Sequence, residues 1–282
     1  MSLSECKNNI AKKTFREKGT CSRTFAYLLN KEFGNNLDDE ERATDPLAGG
    51  IMRKGQQCGM LWGATLAIGA EAYGRTNDLD KALPLAILAT QSLMNSFEER
   101  AHTVNCKDIT GCRMDNFFGL TRYMLKVTLQ GMNNSTCFNL AEDWYEEAIK
   151  SAKQGLIQNQ NKLPVNVINC ASEVVRKVGG NKEEMAMVAG FAGGMGLSGH
   201  GCGALSAAIW VRSLDWVRNN PGKSAFNNNE AKVILKSFLK ETQGKMDCSQ
   251  ICGRDFQSVQ DHSDFLKNGG CHNVLKVLYQ SD

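Results

Sequence analysis

One glycine- and cysteine-rich phrase occurs twice in the sequence. It reads LAGGIMRKGQQCG at Leu47–Gly59 and FAGGMGLSGHGCG at Phe191–Gly203. Six residues are identical at the same offsets in the two copies. In the first copy they are Ala48, Gly49, Gly50, Gly55, Cys58 and Gly59. Since a cysteine is conserved in register with the glycines, glycine richness alone does not explain the match. The phrase indicates an internal duplication.

The cysteines extend the duplication to the whole chain. In order, they are Cys21, Cys58, Cys106, Cys112 and Cys137 in one half, and Cys170, Cys202, Cys248, Cys252 and Cys271 in the other. Only Cys6 has no counterpart. The polar stretch Ser151–Asn166, with Gly155 and Pro164, is typical of a junction. We therefore predict two homologous halves, 1–155 and 156–282, related by pseudo-twofold symmetry.

The predicted fold class is all-α. The chain has four prolines and no sustained alternation of apolar and polar residues, so a β-rich fold is disfavoured. Helical periodicity and start signals predict helices over Cys58–Tyr73, Asn77–Ala101, Met114–Gln130, Asn139–Gln154, Asn166–Val178, Lys182–Phe191, Gly203–Arg218 and Asn229–Thr242. The second of these has a start signal at Asp78 or Asp80 and Pro84 near its first turn.

Composition narrows the class of protein. The 282 residues are 42% hydrophobic and carry a net charge of +3, from 33 Lys and Arg against 30 Asp and Glu. The charges form no long basic run, so nucleic acid is not expected as a partner. No secretory signal or membrane-spanning stretch is visible, and a cytoplasmic location without membrane contact is predicted. In such a chain, 11 cysteines indicate metal, cluster or redox chemistry more than structural disulfides.

The repeated phrase places a cysteine at a predicted helix start. Free amide groups and the positive end of the helix dipole favour a thiolate there, so Cys58 and Cys202 are predicted to have lowered pKa values and to be the catalytic thiolates. The small residues Gly59 and Gly63 follow on one helical face, which would let another backbone approach closely. The glycines expected to line a cofactor site are Gly49, Gly50, Gly55, Gly59, Gly193, Gly194, Gly199 and Gly203.

These residues resemble a family of redox-active proteins named for the motif C_GCAxxG_C_C. Each half is similar to one copy of the family unit: a leading cysteine, a glycine-rich loop, a cysteine at a helix start and further cysteines downstream. Both halves depart from the central motif, because Gly59 and Gly203 replace its alanine, Trp62 and Ser206 replace its last glycine, and Gln57 replaces its first glycine in one half. The resemblance implies a redox protein. The family is also similar to the non-haem part of split-Soret cytochromes, but the chain has no Cys-x-x-Cys-His, so covalent haem is not expected.

Two kinds of cysteine chemistry remain open. In a thiol-based or iron–sulfur redox protein, the four or five cysteines of each half would be cluster ligands or resolving thiols. In a structural zinc protein, four thiolates would hold the metal, although only Cys248 and Cys252 form a closely spaced pair. Because these two cysteines stand at i and i+4, both would face one side of a helix. The candidate ligands are all ten paired cysteines: Cys21, Cys58, Cys106, Cys112, Cys137, Cys170, Cys202, Cys248, Cys252 and Cys271. The expected cofactor is an iron–sulfur cluster, zinc or none.

Other functions are weaker alternatives. GMGLSG at Gly194–Gly199 matches a dinucleotide-binding pattern with Asp215 downstream, but a helix rather than a strand is predicted before it. His200 and His272 lie beside cysteines in the second half only. A further alternative is a non-catalytic interaction module with buried cysteines. For the redox function, the expected partner is an electron donor or acceptor protein, and the chain is expected to be a monomer with an internal pseudo-dimer, or a homodimer.

Overall fold

The regular structure of the protein is helical. The computed structural model describes residues 9–159 and 163–280, which contain fifteen α-helices, four short 3₁₀ turns and two isolated β-bridges but no β-strand. This confirms the predicted all-α class. Cys6 lies outside the described residues.

The chain order of the helices is as follows. The first eight are α1 (Ile10–Lys18), α2 (Cys21–Phe33), α3 (Asp38–Arg42), α4 (Gly59–Thr76), α5 (Leu79–Ala101), α6 (Cys106–Thr110), α7 (Phe117–Gln130) and α8 (Thr136–Gln158). The other seven are α9 (Cys170–Lys177), α10 (Lys182–Met187), α11 (Gly203–Asn219), α12 (Asn229–Glu241), α13 (Cys248–Cys252), α14 (Val259–Lys267) and α15 (His272–Tyr279). The 3₁₀ turns are Asp45–Leu47, Met132–Asn134, Ala189–Phe191 and Ala225–Asn227.

The order of elements repeats along the chain. In each half, a helix that starts at the leading cysteine (α2, α9) is followed by a short helix (α3, α10) and a 3₁₀ turn. The glycine-rich loop comes next, then two long helices (α4 and α5, α11 and α12) and a five-residue helix that starts at a cysteine (α6, α13). Each half ends on a helix that begins beside its last cysteine (α8, α15). The two halves therefore use their cysteines at equivalent helix starts.

Helix starts follow the sequence signals. The Asp78 carboxylate accepts a hydrogen bond from the Asp80 amide at 3.0 Å, which caps α5 as predicted. In the second half, the carboxamide of Asn228 accepts from Glu230 N–H at 2.9 Å and caps α12. Pro84 was predicted near the first turn and is the sixth residue of α5. Helix α8 continues through Gln158, so the first part of the predicted junction is helical.

A single hydrophobic core contains residues of both halves. Helix α4 is buried along most of its length, packing against α2 and α5 of its own half and against α10 of the other. The fully buried Trp62 meets Phe191 edge to face, with ring centroids 4.9 Å apart, across the two halves. Gly63 and Gly69 permit this packing, since a Cβ atom would lie 1.9 Å from Ser22 O and 2.3 Å from Ala186 O, respectively. The predicted close backbone approach at Gly63 is thus confirmed.

Helix α7 is the exception to this packing. None of its side chains is fully buried. It lies over a small separate apolar cluster formed by Cys106, Cys112 and Met114, to which it contributes Leu120 and Tyr123. Within the described ranges, no helix is long and apolar enough to cross a bilayer.

Candidate functional site

Backbone hydrogen bonds hold two cysteine-bearing helix starts together in the first half. Gln57 and Asn105 form an antiparallel β-bridge. On either side of it, Cys58 N–H donates to Val104 O at 2.8 Å and Cys106 N–H donates to Gln56 O at 2.8 Å. We call the β-bridge and these two flanking hydrogen bonds a clasp. It places the starts of α4 and α6 side by side.

The second half has the same clasp at equivalent positions. Gly201 and Asp247 form the β-bridge, and Cys202 N–H donates to Met246 O at 2.8 Å. The starts of α11 and α13 are therefore adjacent. The duplicated glycine–cysteine phrase encodes this clasp, which brings together cysteines more than 40 positions apart in the chain.

The two clasps also contact each other through one side chain. Gln57 is fully buried, and its Oε1 accepts a hydrogen bond from Gly201 N–H at 3.1 Å. Its Nε2 donates to Gly194 O at 3.4 Å. Gln57 stands where the family motif has glycine, and its carboxamide joins the loops of the two halves.

The eight predicted cofactor glycines pack against protein atoms. At each of them a Cβ atom would lie within 3.0 Å of a heavy atom of the chain. Gly50 and Gly194 also adopt left-handed φ values of 75° and 84°, and their neighbours are the backbones of Gln56 and His200. Two of the loop amides serve the thiols directly, because Gly49 N–H donates to the Cys21 sulfur and Gly193 N–H to the Cys170 sulfur.

Steric space explains why glycine replaces the motif's alanine after each central cysteine. A Cβ atom at position 59 would lie 2.5 Å from the Cys21 sulfur. The equivalent atom at position 203 would lie 1.8 Å from Phe191 O. Gly59 and Gly203 therefore let the leading helix and the 3₁₀ turn approach the start of the central helix.

The first cysteine cluster has Cys21 and Cys58 at its centre. The Cys58 thiol donates a hydrogen bond to the Cys21 sulfur. This donor lowers the pKa of Cys21 despite burial, and the amides of Gly49 and Ser22 add to the effect. The same hydrogen bond, together with burial, raises the pKa of Cys58.

The remaining cysteines of the first half surround this pair. They are Cys106, Cys112 and Cys137, which interact electrostatically with one another. Cys106 and Cys137 also interact electrostatically with Cys21. The Tyr123 hydroxyl of α7 donates to the Cys137 sulfur at 3.5 Å. Burial raises the pKa of Cys137 to about 11. A cavity of about 200 Å³ beneath α7 opens onto Cys21, Cys106 and Cys137.

The second cysteine cluster contains a row of three sulfurs. Cys248 and Cys252 lie one helical turn apart on α13 with their sulfurs 3.8 Å apart, as the i, i+4 spacing predicted. The sulfur of Cys271, at the start of α15, lies 3.4 Å from that of Cys252. Cys170 and Cys202 lie behind this row, both buried and electrostatically coupled to Cys252.

Cys252 is the acidic thiol of this row. The Cys248 thiol and then the Cys271 thiol donate to its sulfur, and these hydrogen bonds lower the pKa of Cys252 well below that of an ordinary cysteine. The nearby positive charge of Arg254 acts in the same direction, against desolvation. Both donors are correspondingly harder to ionise, and their pKa values are raised.

A cavity of about 440 Å³ opens beside this row of sulfurs. Cys252 and Cys271 line it and are partly exposed, whereas Cys248 is 5% exposed and lies behind them. His272, one of the two histidines singled out by sequence, is exposed on the cavity rim. His200 is half-buried in the loop and does not line the cavity.

The predicted lowering of the pKa at Cys58 and Cys202 is wrong. Both cysteines do immediately precede the central helices, and the amides of Ala204 and Leu205 donate to the Cys202 sulfur. Burial outweighs these amides and raises the pKa of Cys202 to about 12. The thiols with lowered pKa values are instead Cys21 and Cys252. Sequence spacing could not reveal this, because it depends on which sulfur accepts hydrogen bonds from the other thiols.

The sulfurs as arranged do not fit a tetrahedral zinc ion or a [4Fe–4S] cluster. Across residues 9–159 and 163–280, no group of three or more His, Cys, Asp or Glu side chains is positioned to hold a metal. Tetrahedral zinc–thiolate sites keep their sulfurs about 3.8 Å apart around a central ion. The sulfurs of Cys252 and Cys271, at 3.4 Å, touch each other, and a [4Fe–4S] cluster would separate them because each of its thiolates binds a different iron.

The nucleotide-binding pattern lacks its structural context. Residues Gly194–Gly199 follow the 3₁₀ turn Ala189–Phe191 instead of a β-strand. The loop glycines are packed against the chain and not against an open groove. A pyrophosphate-binding turn requires a strand, an accessible glycine backbone and a helix start in succession, so the pattern is a coincidence of the glycine-rich loop.

Comparison with known proteins agrees with the duplicated geometry. The family model described as "Putative redox-active protein (C_GCAxxG_C_C)" matches the chain twice, over residues 20–150 and 168–280. No curated protein and no solved structure matches the chain. The two matches leave only short segments uncovered, and each includes one complete cysteine cluster with its clasp. The chain therefore belongs to the C_GCAxxG_C_C family of redox-active proteins and contains two successive copies of the family unit.

Proposed function

We propose that the protein is a thiol–disulfide oxidoreductase in which Cys252 is the reactive thiolate and Cys271 its partner thiol. The observation that carries this proposal is the row of sulfurs in the second half, with contacts of 3.8 and 3.4 Å, beside an open cavity. Two thiols in contact can become a disulfide, with a sulfur–sulfur bond of about 2.05 Å, after a small side-chain movement. Cys248, on the other side of Cys252, offers an alternative partner.

The exchange reaction uses only groups of the chain and a disulfide substrate. The Cys252 thiolate attacks one sulfur of the substrate, forms a mixed disulfide and expels the other substrate sulfur as a thiolate, which takes up a proton. The Cys271 thiol then loses its proton and attacks the Cys252 sulfur, which releases the second substrate thiol. Two electrons pass from the protein dithiol to the substrate, and a Cys252–Cys271 disulfide remains. A dithiol reverses both steps and restores the protein.

The hydrogen bonds to Cys252 set the direction in which this exchange is favoured. They stabilise the thiolate, which exists only in the reduced protein, so they favour reduction of the protein disulfide. Cys252 is also a good leaving group, which speeds attack on a disulfide that contains it. The second half is therefore suited to accept electrons from thiols.

In the first half, we propose Cys21 and Cys58 as a second dithiol. Its support is the coupling between the buried Cys58 thiol and Cys21, which lowers the pKa of Cys21, and the opening of a cavity onto Cys21. Cys58 and Cys202, predicted from sequence as the central thiolates, then have different roles: Cys58 is a buried proton donor, and Cys202 is a buried neighbour of the reactive row.

Reciprocal packing supports a pseudo-twofold relation between the halves. Helix α4 of the first half packs on α10, and α11 of the second half packs on α3, the counterpart of α10. Because each half covers the other in the same way, we propose that the chain acts as a monomer with an internal pseudo-dimer. Its expected electron partner is a thiol or dithiol compound or protein, and its odd number of cysteines supports a reducing compartment such as the cytoplasm.

Disulfide mapping of the full chain tests the proposal. The reduced protein is oxidised by a dithiothreitol redox buffer, and its peptides are mapped by mass spectrometry. We expect a Cys252–Cys271 or Cys248–Cys252 disulfide at an equilibrium that the buffer ratio controls. Cys252→Ser should abolish this equilibrium, whereas Cys202→Ala, a matched control in the same cluster, should retain it.

Two outcomes would contradict the proposal. Reversible oxidation that survives in Cys252→Ser but is lost in Cys202→Ala would return the reactive role to the central cysteine. Stoichiometric iron or zinc in anaerobically purified protein, with the thiols of the second half protected until the metal is removed, would assign the cysteines to a metal centre instead.

A further inference from the structure

The cavity beside Cys252 has the dimensions of a small-molecule site. Its volume of about 440 Å³ lies within the range of about 300–1,000 Å³ that is typical of pockets for small ligands. Its walls come from the turn after α12, the end of α13, the end of α14 and the first turn of α15. All four segments belong to the second half, so the site is complete within one copy of the family unit.

The sulfurs that line this cavity are the two needed for exchange. Cys252 and Cys271 are accessible from it, while Cys248 is buried and does not line it. A substrate that enters the cavity therefore meets the thiolate and the adjacent thiol at once. Ile251, Phe265 and Val274 supply an apolar surface next to them, suited to the carbon and sulfur atoms of a disulfide.

The surroundings of the cavity lack the apolar anchors of a protein-docking surface. Protein interfaces depend on a few large apolar or aromatic side chains at their centre. Within the second family unit, the one exposed large hydrophobic residue among the described residues is Val233, which does not line the cavity. Most exposed large hydrophobic residues belong to the first half, on or beside α7.

The rim of the cavity carries one positively charged and one negatively charged side chain. Lys245 and Glu241 both line the cavity and are exposed, and neither makes an ion pair within the described residues. An amino acid or a short peptide presents a carboxylate and an ammonium group, which complement this pair. The amide side chains of Gln243 and Asn273 add hydrogen-bonding groups on the same rim.

From this geometry we propose that the second-half cavity binds a low-molecular-weight disulfide of the amino-acid or short-peptide class, with Lys245 facing its carboxylate and Glu241 its ammonium group. This inference rests on the proposed thiol–disulfide function and names its substrate. One substrate sulfur forms a bond with Cys252, the other leaves as a thiolate and is protonated, and Cys271 then displaces the first. The products are two small thiols and the Cys252–Cys271 disulfide, which a dithiol reduces again.

The test compares two small disulfides on the full, reduced chain. Oxidised glutathione carries carboxylates and ammonium groups, and 2-hydroxyethyl disulfide carries neither. The rate constant for consumption of the Cys252 thiol is measured with each by acid quenching and mass spectrometry. We compare the ratio of the rate constant with oxidised glutathione to that with 2-hydroxyethyl disulfide. A change in the intrinsic reactivity of the Cys252 thiolate affects both rate constants and cancels in this ratio.

We expect this ratio to fall about 1.5-fold to fivefold in Lys245→Gln and in Glu241→Gln, as is usual for the loss of one exposed charge interaction. The matched control is Lys236→Gln, an exposed lysine of α12 that does not line the cavity, and its ratio should stay at the wild-type value. All three positions are exposed, and thermal unfolding verifies that each variant is folded.

The outcomes separate this inference from the proposed function. If Lys245→Gln and Glu241→Gln leave the ratio unchanged, the substrate assignment is overturned. If the chain reduces the disulfides of insulin through Cys252 but reacts with neither small disulfide, the oxidoreductase function stands and the small-substrate inference fails. If no disulfide oxidises Cys252, the proposed function itself fails, and this inference fails with it.

Discussion

At Cys202, two opposing effects act on one sulfur atom. The amides of Ala204 and Leu205 at the start of α11 favour its thiolate, but burial disfavours any charge at that position more strongly. At Cys252 the balance is reversed, because the sulfur is partly exposed and receives two thiol hydrogen bonds. The acidity of each cysteine is therefore decided by its local donors and exposure, and only in part by the helix that it begins.

Selective alkylation follows from these pKa differences. The pKa of Cys252 is lowered to about 4, so its thiolate is present above that pH. The pKa values of Cys170 and Cys202 are raised to about 11 and about 12, so both remain thiols at neutral pH. Iodoacetamide at about pH 6 should modify Cys252 first, as read by peptide mass spectrometry. Modification of Cys202 ahead of Cys252 in the folded protein would contradict this.

His262 should make stability depend on pH. It is 2% exposed, its Nδ1 has no hydrogen-bond partner, and burial lowers its pKa to about 4. The unfolded chain binds a proton here below about pH 6.5, while the folded protein does not until about pH 4. Since the unfolded state binds more protons in this window, stability should fall by about 3 kcal/mol as the pH decreases from 6.5 to 4.

Denaturant unfolding at several pH values measures this contribution. The variant His262→Phe keeps a ring against Phe256 but removes the titrating group, so its stability should change less between pH 6.5 and pH 4 than that of the wild type. His272→Gln, which removes an exposed histidine near the same cavity, serves as the control and should retain the wild-type dependence. Equal slopes for His262→Phe and the wild type would show that His262 is not the responsible group.

At the scale of elements, α4 depends on glycine for its packing. Gly63 faces the backbone of α2, and a Cβ atom there would overlap Ser22 O at 1.9 Å. Gly74 lies on the same helix with no other atom within 4 Å of the Cβ position. The two glycines thus share an element and differ only in their surroundings.

This contrast makes a matched pair of substitutions. Gly63→Ala should destabilise the protein by about 1–3 kcal/mol, because α2 must move away from α4. Gly74→Ala should stabilise it by about 0.5–1 kcal/mol, since alanine favours the helix and meets no obstacle. Denaturant unfolding measures both. Similar effects of the two substitutions would show that helix propensity, and not contact with α2, governs position 63.

Helical periodicity predicted most of the longer elements but missed the 13-residue α2, and it predicted the short elements poorly. The predicted span Gly203–Arg218 differs from α11 by one residue, and the capped start of α5 was found from Asp78. The five-residue helices α6 and α13 are too short to show a period, and their starts depend on clasps formed with loops more than 40 residues away. Such tertiary hydrogen bonds have no local signal in the sequence.

The candidate site was predicted to a similar extent. The i, i+4 spacing of Cys248 and Cys252 predicted that both face one side of a helix, and their sulfurs lie 3.8 Å apart. The approach of Cys271 depends on how α14 and α15 return to α13, which spacing cannot specify. Burial of Cys58 and Cys202, which raises the pKa values of both thiols, also arises from packing of both halves, and cysteine spacing does not indicate it.

At the scale of the whole molecule, the halves are not independent units. They share one hydrophobic core, and Gly69 of α4 lies against the backbone of α10, with a Cβ position 2.3 Å from Ala186 O. Opening one half would therefore expose apolar surface of the other. We expect a single cooperative unfolding transition for the full chain.

Substitution at this contact tests the coupling. Gly69→Ala should shift the entire calorimetric transition to a lower temperature and keep it single, because the clash lies between the halves. Gly74→Ala again serves as the control on the same helix. Two resolved transitions in the wild type, with only one of them sensitive to Gly69→Ala, would indicate halves that unfold separately.

The unequal cavities have an evolutionary consequence. In a dimer of identical chains, any substitution that suits one cavity to a ligand appears in the other as well. Here the backbone clasps place Thr103 at the position that corresponds to Lys245, and the cavities beside the two clusters measure about 200 and 440 Å³. Tandem fusion has thus allowed each site to acquire its own mutations. The two cavities of one polypeptide can therefore adapt to different ligands while both halves keep the same backbone clasp.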